Sequence, residues 1–91
     1  MNWLARVCVL PKAEVLDPQG AAILNALHHL GLHGIDEVRS GRLFDLRVTA
    51  GDREAAERLV GEACERLLAN TVVETYSFDV QVMAEPVEAS R

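Results

Sequence analysis

Ninety-one residues allow a single domain. A chain of that length buries roughly 60–65% of its unfolded surface, enough for one modest core and too little for a deep active site. Apolar residues make up 49%, which excludes a disordered chain, and a net charge of −5 argues against nucleic acid, whose phosphates demand a basic face. No apolar run approaches the ~18 residues of a membrane span, and Met1-Asn2-Trp3-Leu4-Ala5-Arg6 lacks the basic-then-apolar order of a signal peptide.

Leu4 to Leu10 is short and β-branched and stops at Pro11-Lys12, so it reads as a strand. Ala5, Val7 and Val9 share one face, while Leu4, Cys8 and Leu10 make the other face apolar too. Both faces are therefore expected to be covered, one by helices and one by another subunit. Asp17-Pro18 then opens a helix, with Asp17 at the N-cap and Pro18 at the first helical position. Ile23, Leu24, Leu27 and Leu30 form its apolar stripe, and Gly31 or Gly34 ends it. Ile35 to Ser40 is a short extended piece, and Gly41-Arg42 a bend. Leu43 to Thr49 alternates as a half-buried strand, with Phe44, Leu46 and Val48 on its apolar face.

Asp52 caps a second helix, whose Ala56, Leu59, Val60, Ala63, Cys64, Leu67 and Leu68 fall at amphipathic spacing and whose end is expected at Ala69-Asn70. Val72 to Met83 forms the last strand, with Tyr76, Phe78, Val80 and Val82 on one face. Two β-α-β units, the first return being a strand or strand pair, predict an α+β fold. The expected form is a ferredoxin-like two-layer sandwich, a four-stranded antiparallel sheet with two helices on one face. Residues 1–84 are expected to make the domain and 85–91 a flexible tail.

The chemistry-bearing residues do not assemble a catalytic site. His29 and His33 are one turn apart, but Gly31 falls between them and no further ligand lies at metal spacing. Cys64 sits in an apolar stripe with nothing to lower its pKa, and Cys8 and Cys64 read as buried thiols of a reducing cytoplasm. No phosphate-binding glycine loop, aromatic RNA-binding pattern or acylphosphatase-type arginine occurs. Bottom-up, the chain is an acidic interaction module. Asp17, Gln19, Arg39, Arg42 and Asn70, polar residues at turns and element ends, are its candidate partner contacts. A small-molecule sensor of the same fold is the alternative.

Several words occur together in order: Val15-Leu16-Asp17-Pro18-Gln19-Gly20, Ala26-Leu27-His28, Val38-Arg39-Ser40-Gly41-Arg42, and Cys64-Glu65-Arg66-Leu67-Leu68-Ala69-Asn70-Thr71-Val72-Val73-Glu74. From about Val7 to Val82 they resemble the PurS family, the small subunits of bacterial phosphoribosylformylglycinamidine synthase. Arg42 stands where that family often has Lys, and Asp45 where it often has Glu. The resemblance implies a non-catalytic cytoplasmic subunit of purine biosynthesis that binds no cofactor or metal alone. It implies a glutaminase partner (PurQ), a synthetase partner (PurL) and self-association to a dimer or tetramer, with no nucleic acid or membrane partner. The assembled complex would use ATP, Mg and glutamine to convert formylglycinamide ribonucleotide (FGAR) to the amidine (FGAM), and this subunit would assist ammonia transfer.

Overall fold

Strand β1 (Asn2–Pro11) lies at the centre of a three-stranded sheet, between β2 (Arg42–Thr49) and β3 (Glu74–Val82). The structure, a computed structural model, describes residues 1–83; the tail expected at 85–91 lies outside them. Both pairings are antiparallel, with Val7 opposite Phe44 on one side and Phe78 on the other. This register places Trp3, Ala5, Val7 and Val9 in one central row, flanked by Phe44, Leu46 and Val48 and by Tyr76, Phe78 and Val80. The central row is buried, as are Val48 and Val80. The alternation expected on β2 and β3 is therefore realised, whereas on β1, where both faces were expected to be covered, only this row is buried.

Helix α2 (Arg53–Ala63) covers this face. Asp52 caps it, its carboxylate accepting the Ala55 N–H at 2.8 Å. The helix continues as a π-helical segment, Cys64–Leu68. Ala56, Val60 and Cys64 are buried at i, i+4, i+8, whereas Leu59 and Leu67, expected in the stripe, are exposed. The wider π turn rotates the chain, so that Leu68 and Ala69 meet the sheet and Leu67, 82% exposed, points away.

Two expectations are corrected. The sheet has three strands among the described residues, not four. Residues 35–40, expected as an extended piece, form no strand, and two of their backbone groups are engaged with helix α1 (Pro18–His29) and its cap. Ser40 N–H donates to Asp17 Oδ2 at 2.8 Å, and His28 Nε2 donates to the Ile35 carbonyl at 2.8 Å. Nor do two helices cover one face. α1 buries no apolar side chain and packs substantially on neither the sheet nor α2. The topology explains this. Val9 pairs with Arg42, so β1 ends where β2 begins, and the chain between them is an excursion from one end of the sheet. The radius of gyration, 16.8 Å against about 12 Å for a compact chain of this length, reflects the projecting arm.

The second face of the sheet is more polar than expected. Arg6 makes a two-pronged ion pair with Asp45 (2.8 and 3.0 Å), and Cys8, expected to be buried, is exposed beside them. Cys8 lies on the face that α2 does not cover; Cys64 is buried as expected. Gly31, with φ +89°, ends the first helical arm and separates His29 from His33.

Candidate partner-contact site

The five candidate residues gather in two clusters at one end of the sheet. The first is built around Asp17. Its Oδ1 accepts the Gly20 N–H at 3.1 Å, the expected cap, and its Oδ2 reaches across to Ser40. The Ser40 N–H first, then the Gly20 N–H, hold the carboxyl below its ordinary range, and nearby Arg39 adds to the effect. Gly20 has its own reason: a Cβ there would collide with the Val38 carbonyl oxygen and with Asp17. The Asp-Pro-Gln-Gly word is thus a clasp between helix start and returning chain. Gln19 is exposed in its first turn and Arg39 is half-buried on the returning strand of chain.

The second cluster centres on Arg42. Its Nη2 donates to both carboxylate oxygens of Glu74 (2.9 and 3.0 Å) and to the Leu68 carbonyl (3.2 Å). The guanidinium also lies 5.7 Å from the Phe44 ring centroid. Glu74 Oε1 accepts the Asn70 N–H at 2.7 Å, and Asn70 Oδ1 accepts the Val72 N–H at 3.2 Å. Arg42 and Asn70 are therefore joined through Glu74, which fastens the end of the π-helical segment to the starts of β2 and β3. Sequence reasoning missed Glu74, Ser40 and Val38. The only signal available was opposite charge on Arg42 and Glu74, and 32 positions separate them until the register brings them together.

Alongside, Tyr76 Oη donates to Glu65 Oε2 at 2.7 Å, and its ring stacks on Phe78 at 6.4 Å. The Glu65 carboxylate holds the phenol above its ordinary pKa. At the far end of α2, Arg53 donates to the Val80 carbonyl on the β3 edge and lies over Trp3. On the opposite face a shallow hollow of about 370 Å³ is lined by Leu4, Arg6, Cys8, Ser77, Asp79 and Gln81. Among the described residues, no three His, Cys, Asp or Glu converge as metal ligands. The arrangement is that of a braced scaffold with polar corners.

The profile of the PurS family, described as phosphoribosylformylglycinamidine (FGAM) synthase, matches residues 4–82, from the start of β1 to the end of β3. The chain belongs to the PurS family. It is 43% identical to phosphoribosylformylglycinamidine synthase subunit PurS of Bacillus subtilis, over 87% of this chain and 93% of the relative. The Mycobacterium leprae subunit of the same name is 47% identical, over 80% and 89%. A chain of the PurLQS structure from Thermotoga maritima superposes with a TM-score of 0.82 at 31% identity, covering 88% of this chain and 98% of that one. The PurS match spans both clusters, so the clasp at Asp17 and the fastening at Arg42 both lie within the family domain.

Proposed function

We propose that this chain is the small, non-catalytic subunit of a phosphoribosylformylglycinamidine synthase and bridges its glutaminase and synthetase subunits, assisting passage of ammonia from one to the other. The observation that carries this reading is the family match over residues 4–82, joined to the likeness to a chain of PurLQS. The physical role is positional. The scaffold holds two active sites in register, so that ammonia released from glutamine reaches the activated substrate before it meets bulk water and protonates. ATP, Mg and glutamine are handled by the other subunits, in the cytoplasm. Asp17, Gln19, Arg39, Arg42 and Asn70 supply polar contacts at one end of the sheet, and the chain self-associates to a dimer or tetramer. Among the described residues no helix is long and apolar enough to cross a membrane.

The test is assembly. Glutaminase and synthetase subunits from the same source should co-elute as one complex when this chain is present, with glutamine and nucleotide supplied. Co-elution of the two without it would remove the bridging role.

A further inference from the structure

α1 ends in a fixed turn that brings two histidines together. Gly31, at φ +89°, is the left-handed residue past the helix end. Its N–H donates to the His28 carbonyl at 3.0 Å, and the Leu32 N–H donates to the Leu27 carbonyl at 3.1 Å. These two bonds make the Schellman closure of a helix, which reverses the chain. His33 therefore comes back to His28, and their ring centroids lie 5.5 Å apart with the planes tilted by 36°. Spacing along the sequence suggests His33 with His29; the turn pairs it with His28.

The pair has the features of a metal-binding one. His28 Nε2 donates to the Ile35 carbonyl at 2.8 Å, so in the neutral ring that nitrogen holds the proton and Nδ1 keeps its lone pair. A backbone carbonyl on one ring nitrogen is what orients a metal-bound imidazole and fixes its tautomer. His33 is exposed, and among the described residues the histidine ring bonds are those of His28 and His29, so both nitrogens of His33 are open. Two imidazoles on one tetrahedral ion, each about 2.0–2.1 Å from it, have centroids about 5.2 Å apart. The observed separation is a small side-chain movement from that value. His29 is a poor alternative, because its Nδ1 donates to the Asn25 carbonyl of its own helix and its position lies about 100° round the helix from His28. The surroundings favour a cation. Residues 18–38 contain no Lys or Arg, while Asp36 and Glu37 follow the pair in sequence. His28 also stands in the last turn of α1, at the negative pole of the helix dipole.

We infer that His28, through Nδ1, and His33 together bind one divalent transition ion of the zinc class, with water filling its remaining positions. Imidazole suits Zn²⁺, Ni²⁺ and Cu²⁺, whereas Mg²⁺ and Ca²⁺ require oxygen ligands. Among the described residues no third side-chain ligand converges, so the site is open and its hold on the ion modest. The bound ion fastens the returning chain to the end of α1, as the Asp17–Ser40 bond fastens it to the start. The site goes beyond the assembly reading and does not depend on it.

The probe is Zn²⁺ itself, added to the untagged chain in a calorimeter, with Mg²⁺ as control. One ion per chain with a Kd tighter than about 100 µM is expected, and no heat from Mg²⁺. His33→Ala, which removes an exposed ring, should weaken binding at least about 10-fold, and His28→Ala likewise, while His29→Ala and Cys8→Ser should bind as wild type. Absence of binding at that level, unchanged affinity in His33→Ala, or an equal loss in Cys8→Ser would overturn the inference. Half an ion per chain would do so too, since it places the ion between copies. A second measurement needs no variant. Long-range ¹H–¹⁵N spectra of the wild-type chain should show Zn²⁺ shifting one ring nitrogen of His33 and Nδ1 of His28, while Nε2 of His28 keeps its proton. Shifts confined to His29, or to no histidine, would contradict the site whatever the variants do.

Discussion

Arg42→Ala removes one side chain that serves three partners, and its cost follows from them. The ion pair with Glu74, made from Nη2 alone, is partly exposed, with side chains 53% and 23% accessible, so solvent screening limits it to about 0.5–1 kcal/mol. The donation to the Leu68 carbonyl at 3.2 Å adds about 0.5–1 kcal/mol. The guanidinium over Phe44 contributes about 0.5 kcal/mol. The sum is about 1.5–2.5 kcal/mol. For a domain of this size that lowers the melting temperature by about 6–15 °C, readable by circular dichroism. Arg42→Lys should recover less than half, because its ammonium sits one bond short of the Nη2 position and has no planar face to lie over Phe44. A double-mutant cycle with Glu74→Ala should give a coupling of about 0.5–1 kcal/mol. A melting temperature within about 2 °C of wild type, or zero coupling, would refute this account. Arg42 would then be a solvated surface residue.

Gly20→Ala should destabilise by about 1–3 kcal/mol, since the new Cβ meets the rigid Val38 carbonyl, while Gly61→Ala on α2, with open space around it, should stabilise by about 0.5–1 kcal/mol; urea titration distinguishes the two signs. Native protein should react with one equivalent of Ellman's reagent, at exposed Cys8. Cys64, buried and with its thiol pKa pushed up by burial, should react only after unfolding. Stability should also fall in acid. The carboxyls of Asp17 and Asp45 are held below their ordinary range when folded, by the Ser40 N–H and by Arg6 respectively. Their contribution is therefore fully present above the unfolded value near ~3.9 and lost as pH drops through the lower folded values. Melting temperatures flat from pH 7 to 5 and falling below about 4 are expected, and Asp17→Asn should flatten that fall.

Much of the fold is local enough to read from the chain. Asp17-Pro18 and Asp52 announce both helix starts, Gly31 or Gly34 the first arm's end (the structure uses Gly31), and alternation in 43–49 and 76–80 gives the buried face. What escaped depends on long-range geometry. Helix periodicity marks α1 as apolar on one side but does not say where that side packs, so two helices were expected on the sheet. The segment 35–40 has strand-like residues, yet its Ser40 N–H goes to Asp17, a choice 23 positions apart. Leu67 looked buried because the spacing assumed α-helical turns; the π segment at Cys64–Leu68 shifts it outward. In the candidate site, turn position picked out Asp17, Arg42 and Asn70, but their shared partners Ser40 and Glu74 became visible only with the strand register. That register turns separate polar residues into two clusters.

The assembly role is tested most directly by reconstitution. FGAM formation from FGAR and ATP would be measured with the glutaminase and synthetase subunits held constant while this chain is titrated in, once with glutamine and once with ammonium as nitrogen source. The glutamine-dependent rate should be low without the chain and rise to a plateau at a fixed stoichiometry, with the ammonium-dependent rate changing little. Full glutamine-dependent activity in its absence would contradict the account. An equal requirement in the ammonium reaction would contradict ammonia transfer and place its action on the synthetase itself.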